Sequence, residues 1–419
     1  MSVVGMITEY NPFHNGHLFH LTRAKEITGA QYALCVMSGN FVQRGEPAIV
    51  DKWARTRMAL AAGVDLVIEL PVVYTLQSAE GFARGGISLL DALGVVDFIC
   101  FGSEAGDIQP LKKIAGMLES QPVEYRALLK DYLKLGLSFA DARQRAAFDY
   151  FEDKDGHNNP SIHLNSPNNI LAIEYIKALM AINSDIYPVT VKRIGAGYDA
   201  ERLSGPISSA TAIRQFLHNG GNLDDTPLNT TLPDFSRDIL RTEFEKAKGP
   251  VSLKAYDQLV LSIIRRSNPR KLSLLPDVSE GLENKLYGAA FKCGSLDGLL
   301  AEAKTKRYAY TRLQRILMNM ILGITAREIE RFDRQGGPQY IRILGFNKNS
   351  LPLLKMIKMR TRLPIITKAA HYKKWGNKAL TKMFEKDVLA TDIYSLAFQN
   401  PKYRTGGRDF TTGVIIKSA

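Results

Sequence analysis

The chain of 419 residues has only three cysteines, Cys35, Cys100 and Cys293, spread far apart. That usage argues against a disulfide framework and a cysteine-based zinc site. Cys35 and Cys100 lie in apolar runs and read as buried thiols in a reducing compartment. No apolar run reaches the roughly 20 residues of a membrane-spanning helix. The N-terminus enters a strand directly, without the basic and apolar regions of a cleavable signal. We therefore expect a cytoplasmic protein without membrane attachment. There is no internal repeat, low-complexity tract, P-loop or zinc knuckle, and Gly195-x-Gly197 is too short for a dinucleotide fingerprint.

What is present is an ordinary globular composition, 45% hydrophobic and 23% charged, long enough for two or three domains. The net charge of +13 is unevenly placed. Residues 251–419 hold 31 Lys and Arg against 13 Asp and Glu, a net of +18, leaving 24 against 29, or −5, for residues 1–250. A basic half beside a mildly acidic one points to a polyanionic partner for the basic half.

Apolar runs at Val3–Ile7, Tyr32–Met37, Asp65–Leu70, Asp97–Phe101 and Tyr187–Ile194 read as strands. Helical patterns at Leu18–Ile27, Asp51–Ala62, Ala79–Leu93 and Ile170–Met180 lie between them. The alternation predicts an α/β fold, a parallel sheet covered by helices, with ligands collecting at the carboxyl ends of strands. At the first such end lies Ile7-Thr8-Glu9-Tyr10-Asn11-Pro12-Phe13-His14-Asn15-Gly16-His17-Leu18-Phe19-His20. His14 and His17, three apart, face one side at a helix N-terminus, where backbone N–H groups favour an anion. Gly16 lets a nucleotide lie against the backbone. Two imidazoles aimed at a phosphorus can donate to charge developing on an α-phosphate as a nucleophile displaces pyrophosphate. No Cys or carboxylate falls at zinc spacing nearby, so no metal ligand set is assigned.

This stretch resembles the HxGH signature of the nucleotidyltransferase superfamily related to class I aminoacyl-tRNA synthetases. Glu9 to His17, with Ser38-Gly39-Asn40-Phe41-Val42-Gln43-Arg44-Gly45-Glu46-Pro47-Ala48, is similar to the bacterial tRNA(Met) cytidine acetate ligases. Specific motifs run from Met1 to about Arg214. Ile207-Ser208-Ser209-Ala210-Thr211-Ala212-Ile213-Arg214 resembles the superfamily's second signature, ISSTxIR, with Ala210 interposed. The resemblance implies a Rossmann-like domain in which the backbone of residues 7–20 seats ATP. His14 and His17 act on the α-phosphate, and Gly102, Asn168, Arg193 and Ile194 complete the pocket. Ser208, Ser209 and Arg214 are candidates for the leaving pyrophosphate; the alternative is a plain serine N-cap. By spacing alone, Asn168 and Asn169 read as helix-start chemistry after Ser166-Pro167. The resemblance implies an ATP contact here, and Asn168 is the one assigned. The implied reaction joins acetate and ATP into acetyl-adenylate, then acetylates N4 of the wobble cytidine of elongator tRNA(Met). Mg2+ is expected with ATP, though no fixed ligand for it is legible.

Residues 107–152 read as a helical insertion and 226–234 as a boundary, giving an ATP-binding domain over 1–225 and a mainly helical, basic, tRNA-binding domain over 226–419. Helices are expected at Arg237–Lys248, Tyr256–Arg265, Gly281–Cys293, Leu296–Thr305 and Arg307–Leu322, and extended segments at Arg342–Phe346 and Leu363–Ile366. Lys374, Lys378 and Lys382 at i, i+4, i+8 form a candidate RNA-binding stripe, with Trp375, Met383 and Phe384 toward the core. Two alternatives remain at this level. A small-molecule adenylyltransferase explains the first half but not the basic second half. A non-catalytic RNA-binding protein explains the charge but not the intact His14-x-Gly16-His17. These residues carry no signal for an oligomeric state.

Overall fold

The computed structural model describes residues 1–137, 139–155, 164, 166–193, 203, 205–305 and 308–418. Its centre is a sheet of β1 (Val3–Thr8), β2 (Tyr32–Ser38), β5 (Leu66–Leu70), β6 (Phe98–Ser103) and β7 (Tyr187–Lys192), with β3 (Phe41–Val42) and β4 (Glu46–Pro47) forming a separate hairpin. The five central strands are parallel, in the order β5-β2-β1-β6-β7. The order reverses at β1, whose neighbours are β2 and β6. Carboxyl ends at such a switch point leave a crevice for a ligand.

Alternate side chains enter two apolar layers, as strand periodicity requires. Val3, Leu34, Val36, Leu66, Ile68 and Ile99 pack with Ile87 and Leu90 of the helix Ala79–Ala92 and Ile173 and Ile176 of the helix Pro167–Ala181. Val4, Met6, Ala33, Cys35, Val67 and Cys100 pack on the other face with Leu21 and Ala24 of the helix Asn15–Thr28 and Met58 and Ala59 of the helix Lys52–Ala61. The thiols of Cys35 and Cys100 are buried, and desolvation pushes both up to about 12. Each expected strand is present, and Asp51 caps its helix by accepting from the Ala54 N–H at 2.9 Å. The insertion consists of three helices, Ile108–Ser120, Val123–Lys134 and Phe139–Asp155.

The second half is mostly helical, with Asp234–Glu245, Asp257–Arg265, Leu282–Lys292, Leu296–Ala303 and Tyr310–Ile321 close to expectation, and a further helix at Ala326–Arg334. Residues 226–234, read as a boundary, begin with a short helix, Thr226–Thr231. The chain then returns to the sheet. β8 (Ile341–Asn347) pairs antiparallel with β5, while β9 (Ile365–Ile366) and β10 (Ile415–Lys417) pair parallel with β8. The carboxyl-terminal part therefore supplies three strands to the sheet that the first part begins, and a division at residue 225 cuts through one hydrogen-bonded unit.

Charge reinforces this return. Lys52 Nζ lies 2.8 Å from Glu69 and 2.8 Å from Asp409. Arg342 reaches the same two carboxylates, Glu69 at 3.2 Å and Asp409 at 2.5 Å. Two cations and two anions thus compensate one another in a buried site. Removing one member leaves an uncompensated buried charge, which costs about 3–5 kcal/mol. Arg342→Ala is expected to lower unfolding free energy in urea by that amount. A loss below about 1 kcal/mol, the size of an exposed ion pair, would contradict the assignment.

Candidate active site

His14 is the N-cap of the helix Asn15–Thr28. Its Nδ1 accepts from the Gly16 N–H at 3.0 Å, and His17 Nδ1 accepts from the His14 N–H at 3.3 Å. This is a capping box built from two imidazoles. A neutral ring that accepts at Nδ1 carries its proton on Nε2, so the hydrogen-bond network assigns both histidines as Nε2–H donors. The rings lie 3.8 Å apart at 31°. Tyr10 and Phe13 wall the His17 ring, with centroids at 5.0 Å and 5.6 Å. Gly16 has a reason beyond nucleotide access. A Cβ there would sit 2.8 Å from His14 Cε1, pressing on the capping ring.

Burial drives the protonation states. Desolvation, then repulsion from Arg193 and Arg214, takes His14 down to about 3. Desolvation and then the neighbouring His14 hold His17 well below its ordinary value. His20, whose Nε2 faces Cys100 Sγ at 3.5 Å, falls to about 4, again by desolvation first. The pair is therefore neutral and donating near neutrality.

The other site residues converge from separate elements. Arg193, just beyond β7, donates to Asn168 Oδ1 at 2.9 Å. Gly102 admits the Arg193 side chain over the end of β6, since a Cβ there would be 3.3 Å from Arg193 Cγ. Glu104, absent from the sequence expectations, accepts from Asn168 Nδ2 at 2.6 Å and from the Asn169 N–H at 2.8 Å. Asn169 is buried, and its Oδ1 takes the N–H groups of Glu104 and Ala105 at 3.0 and 3.1 Å. Asn169 is thus committed to the loop after β6, while Asn168 stands on Arg193. Ile194 lies outside the described residues.

The second signature meets the first. Asn15 Nδ2 donates to the carbonyls of Pro206 at 3.2 Å and Thr230 at 2.8 Å. Arg214 Nη1 donates to the Asn11 carbonyl at 2.9 Å, and Nη2 lies 3.4 Å from Glu46. Ser209 caps the helix Ala210–His218, accepting from the Ala212 N–H at 3.0 Å, and Ser208 donates to the Gly205 carbonyl at 3.0 Å. Leu18 and Phe19 pack against the apolar layer. Sequence reasoning also missed Arg55, a buried guanidinium that donates to Glu9 O at 2.6 Å, Ser38 O at 3.0 Å and Gly39 O. It ties the ends of β1 and β2 together.

The lysine stripe is not one helix face. Lys374 belongs to the 3-10 segment Ala369–Trp375, which ends at Gly376 with φ 62°. Asn377 then caps a new helix, Lys378–Ser395, that carries Lys378 and Lys382. All three lysines are exposed. Trp375 is 52% exposed, against expectation, whereas Met383 and Phe384 are buried. Among the described residues no group of three or more His, Cys, Asp or Glu is placed to hold a metal ion, and no helix is long and apolar enough to cross a membrane.

The profile of the HIGH Nucleotidyl Transferase family matches residues 1–409. The tRNA(Met) cytidine acetate ligase of Acetivibrio thermocellus is 46% identical over 99% of this chain and all of its own, and that of Thermoanaerobacter sp. strain X514 is 49% identical over 99% and 100%. The crystal structure of Thermotoga maritima TmcAL bound with alpha-thio ATP covers 100% of both chains at 38% identity, with a TM-score of 0.93. Its apo form gives 0.95 at 39% identity. The chain belongs to the HIGH nucleotidyltransferase family and, within it, to the tRNA(Met) cytidine acetate ligases.

Two outcomes follow from the neutral pair. Between about 3 and 6.5 the unfolded chain binds a proton that folded His14 refuses, so stability falls as pH drops through that window. From pH 7 to pH 5 the loss from His14 is about 2 kcal/mol. His14→Asn keeps an N-cap acceptor and should flatten the urea-measured pH slope by that amount; an unchanged slope would contradict the burial account. His17→Ala should lower the rate of α-phosphate displacement about 10²–10³-fold, the weight of one transition-state donor, read as acetyl-adenylate formation. An undiminished rate would remove His17 from the chemistry.

Proposed function

We propose that the protein is a tRNA(Met) cytidine acetate ligase that activates acetate with ATP and acetylates N4 of the wobble cytidine of elongator tRNA(Met). The observation that carries the reading is the pair of oriented Nε2–H donors at the switch point of the sheet. In the first step an acetate oxygen attacks the α-phosphorus. The bond from that phosphorus to the bridging oxygen breaks, and pyrophosphate leaves with the electron pair. His14 and His17 donate to the α-phosphate oxygens, where charge grows in the transition state. Their neutrality suits this: a donor held by its cap and kept from protonating needs no reorganisation as charge develops. In the second step the cytidine amine attacks the acyl carbon, AMP departs, and the nitrogen loses a proton to give N4-acetylcytidine.

Asn168, Arg193, Gly102 and residues 7–20, with Ile194, seat ATP in this account. Ser208, Ser209 and Arg214 flank the pyrophosphate. Mg2+ accompanies the nucleotide. Among the described residues, the carboxylates around the site are already engaged: Glu9 accepts from the Gln43 N–H at 2.8 Å, Glu46 lies on Arg214, and Glu104 is on Asn168 and Asn169. When bound, the ion would be held by phosphate oxygens and water, where it would offset phosphate charge. The basic second half, including Lys378 and Lys382, supplies the RNA-facing surface, and the reaction belongs in the cytoplasm with tRNA.

The test is ATP–pyrophosphate exchange dependent on acetate, followed by transfer of labelled acetate to tRNA(Met). Exchange with acetate and transfer to the wobble cytidine are expected. Exchange that ignores acetate, or transfer of AMP to a small acceptor, would overturn the reading. For the surface, changing Lys378 and Lys382 to Gln should weaken tRNA binding. It should also make the log–log salt dependence shallower by about 1.4 units, at roughly 0.7 per single-strand phosphate contact. An unchanged slope would mean a merely solvated face.

A further inference from the structure

The segment Ser38–Ala48 supplies no residue to the reaction as described, although it folds directly against the site. Its centre is the turn Gln43-Arg44-Gly45 between β3 and β4, which pair Phe41 with Pro47 and Val42 with Glu46. Every neighbour of Arg44 is pinned. The Gln43 N–H donates to Glu9 Oε1 at 2.8 Å, and Gln43 Nε2 donates to the Gln77 carbonyl at 3.1 Å. Gly45 adopts φ 77° and lies against the helix Tyr310–Ile321 so closely that a Cβ would be 2.3 Å from the Arg315 nitrogen. Glu46 accepts from Gln314 at 3.2 Å and lies 3.4 Å from Arg214.

Arg44 itself is half-buried and, among the described residues, has no hydrogen bond and no ion pair. A rigid turn thus holds an uncommitted guanidinium beside the site. Its hairpin touches the site on both sides, through the Gln43 N–H on Glu9 and through Glu46 on Arg214. Burial first, with the charge of Arg44 adding to it, disfavours the protonated forms of Arg193 and Arg214. Three guanidiniums therefore come together from three elements: the hairpin, the end of β7 and the helix Ala210–His218. Like charges so gathered repel, and among the described residues Glu9, Glu46 and Glu104 already have partners. An anion with several charged oxygens relieves the repulsion and matches the fork geometry of arginine.

We propose that Arg44, with Arg193 and Arg214, holds the β- and γ-phosphates of ATP and takes up the charge of the pyrophosphate as it leaves. This rests on the adenylation reading above. As the α-phosphorus bonds to the acetate oxygen, the bridging oxygen keeps the electron pair of the broken bond and becomes part of pyrophosphate. The histidines serve the α-phosphate, and the arginines serve the leaving group.

The experiment is acetate-dependent ATP–pyrophosphate exchange without tRNA, for the parent, Arg44→Gln and Arg44→Lys, alongside melting temperature and tRNA affinity. Among the described residues the Arg44 side chain has no partner to strand, so both variants should melt with the parent. Arg44→Gln should lose about 10–100-fold in kcat/KM for ATP and for pyrophosphate, the range for one charge-assisted hydrogen bond, with tRNA affinity unchanged. Arg44→Lys should recover part of the loss, as a point charge without the fork. Parent-like exchange in Arg44→Gln, or a defect confined to tRNA binding, would overturn the inference. Lack of exchange in the parent would instead sink the adenylation reading, and the inference with it.

Discussion

The reciprocal cap between His14 and His17 is the constraint on which the site depends. One pair of hydrogen bonds starts the first helix, fixes both ring orientations and sets both tautomers. The helix needs its first N–H groups satisfied, and in most proteins a serine or aspartate side chain does this. Here imidazoles do it, so the groups that complete the helix also keep their Nε2–H groups free as donors. Gly16 belongs to the same device, because only a residue without Cβ leaves the His14 ring its place. Arg55 extends the constraint by holding the chain ends that follow β1 and β2.

Around that turn the fold supplies position. β1 sits where the strand order reverses, so its carboxyl end lies between those of β2 and β6, with β7 beyond β6. Arg193 and Asn168 reach the site from that flank. The helix Ala210–His218 approaches from another side through Arg214, and the segment before it is tied to Asn15 through the Pro206 carbonyl. The carboxyl-terminal strands then close the far edge of the sheet, and the buried square of Lys52, Glu69, Arg342 and Asp409 joins residues more than three hundred positions apart.

Much of this was legible in the sequence where the signal is local. The parallel strands stand out because each is a short apolar run stopped by turn residues. The histidine turn and Gly102 lie at strand ends, where the alternation says ligands collect, and Arg193 follows the last of the five strands, while Arg214 came from the resemblance of 207–214 to the second signature. Two things were hidden for a physical reason. The pairing of β8 with β5 is long-range, and nothing local in Ile341–Asn347 names its partner. The neutrality and tautomers of the histidines come from burial and from bonds between side chain and backbone, which spacing cannot encode. The lysine stripe failed for a local reason: Gly376-Asn377 is a helix stop followed by an N-cap, and that pair outweighs the i, i+4, i+8 count.

The central claim is that both imidazoles are neutral and protonated on Nε2. Imidazole 15N NMR of the full-length protein tests this most directly, with His14 and His17 assigned by single substitutions. Across pH 5 to 8 the expected spectrum has an unprotonated Nδ1 and a protonated Nε2 on each ring, with no titration near 6.5. Imidazolium signals from either ring at pH 6.5, or a proton on Nδ1, would contradict the account.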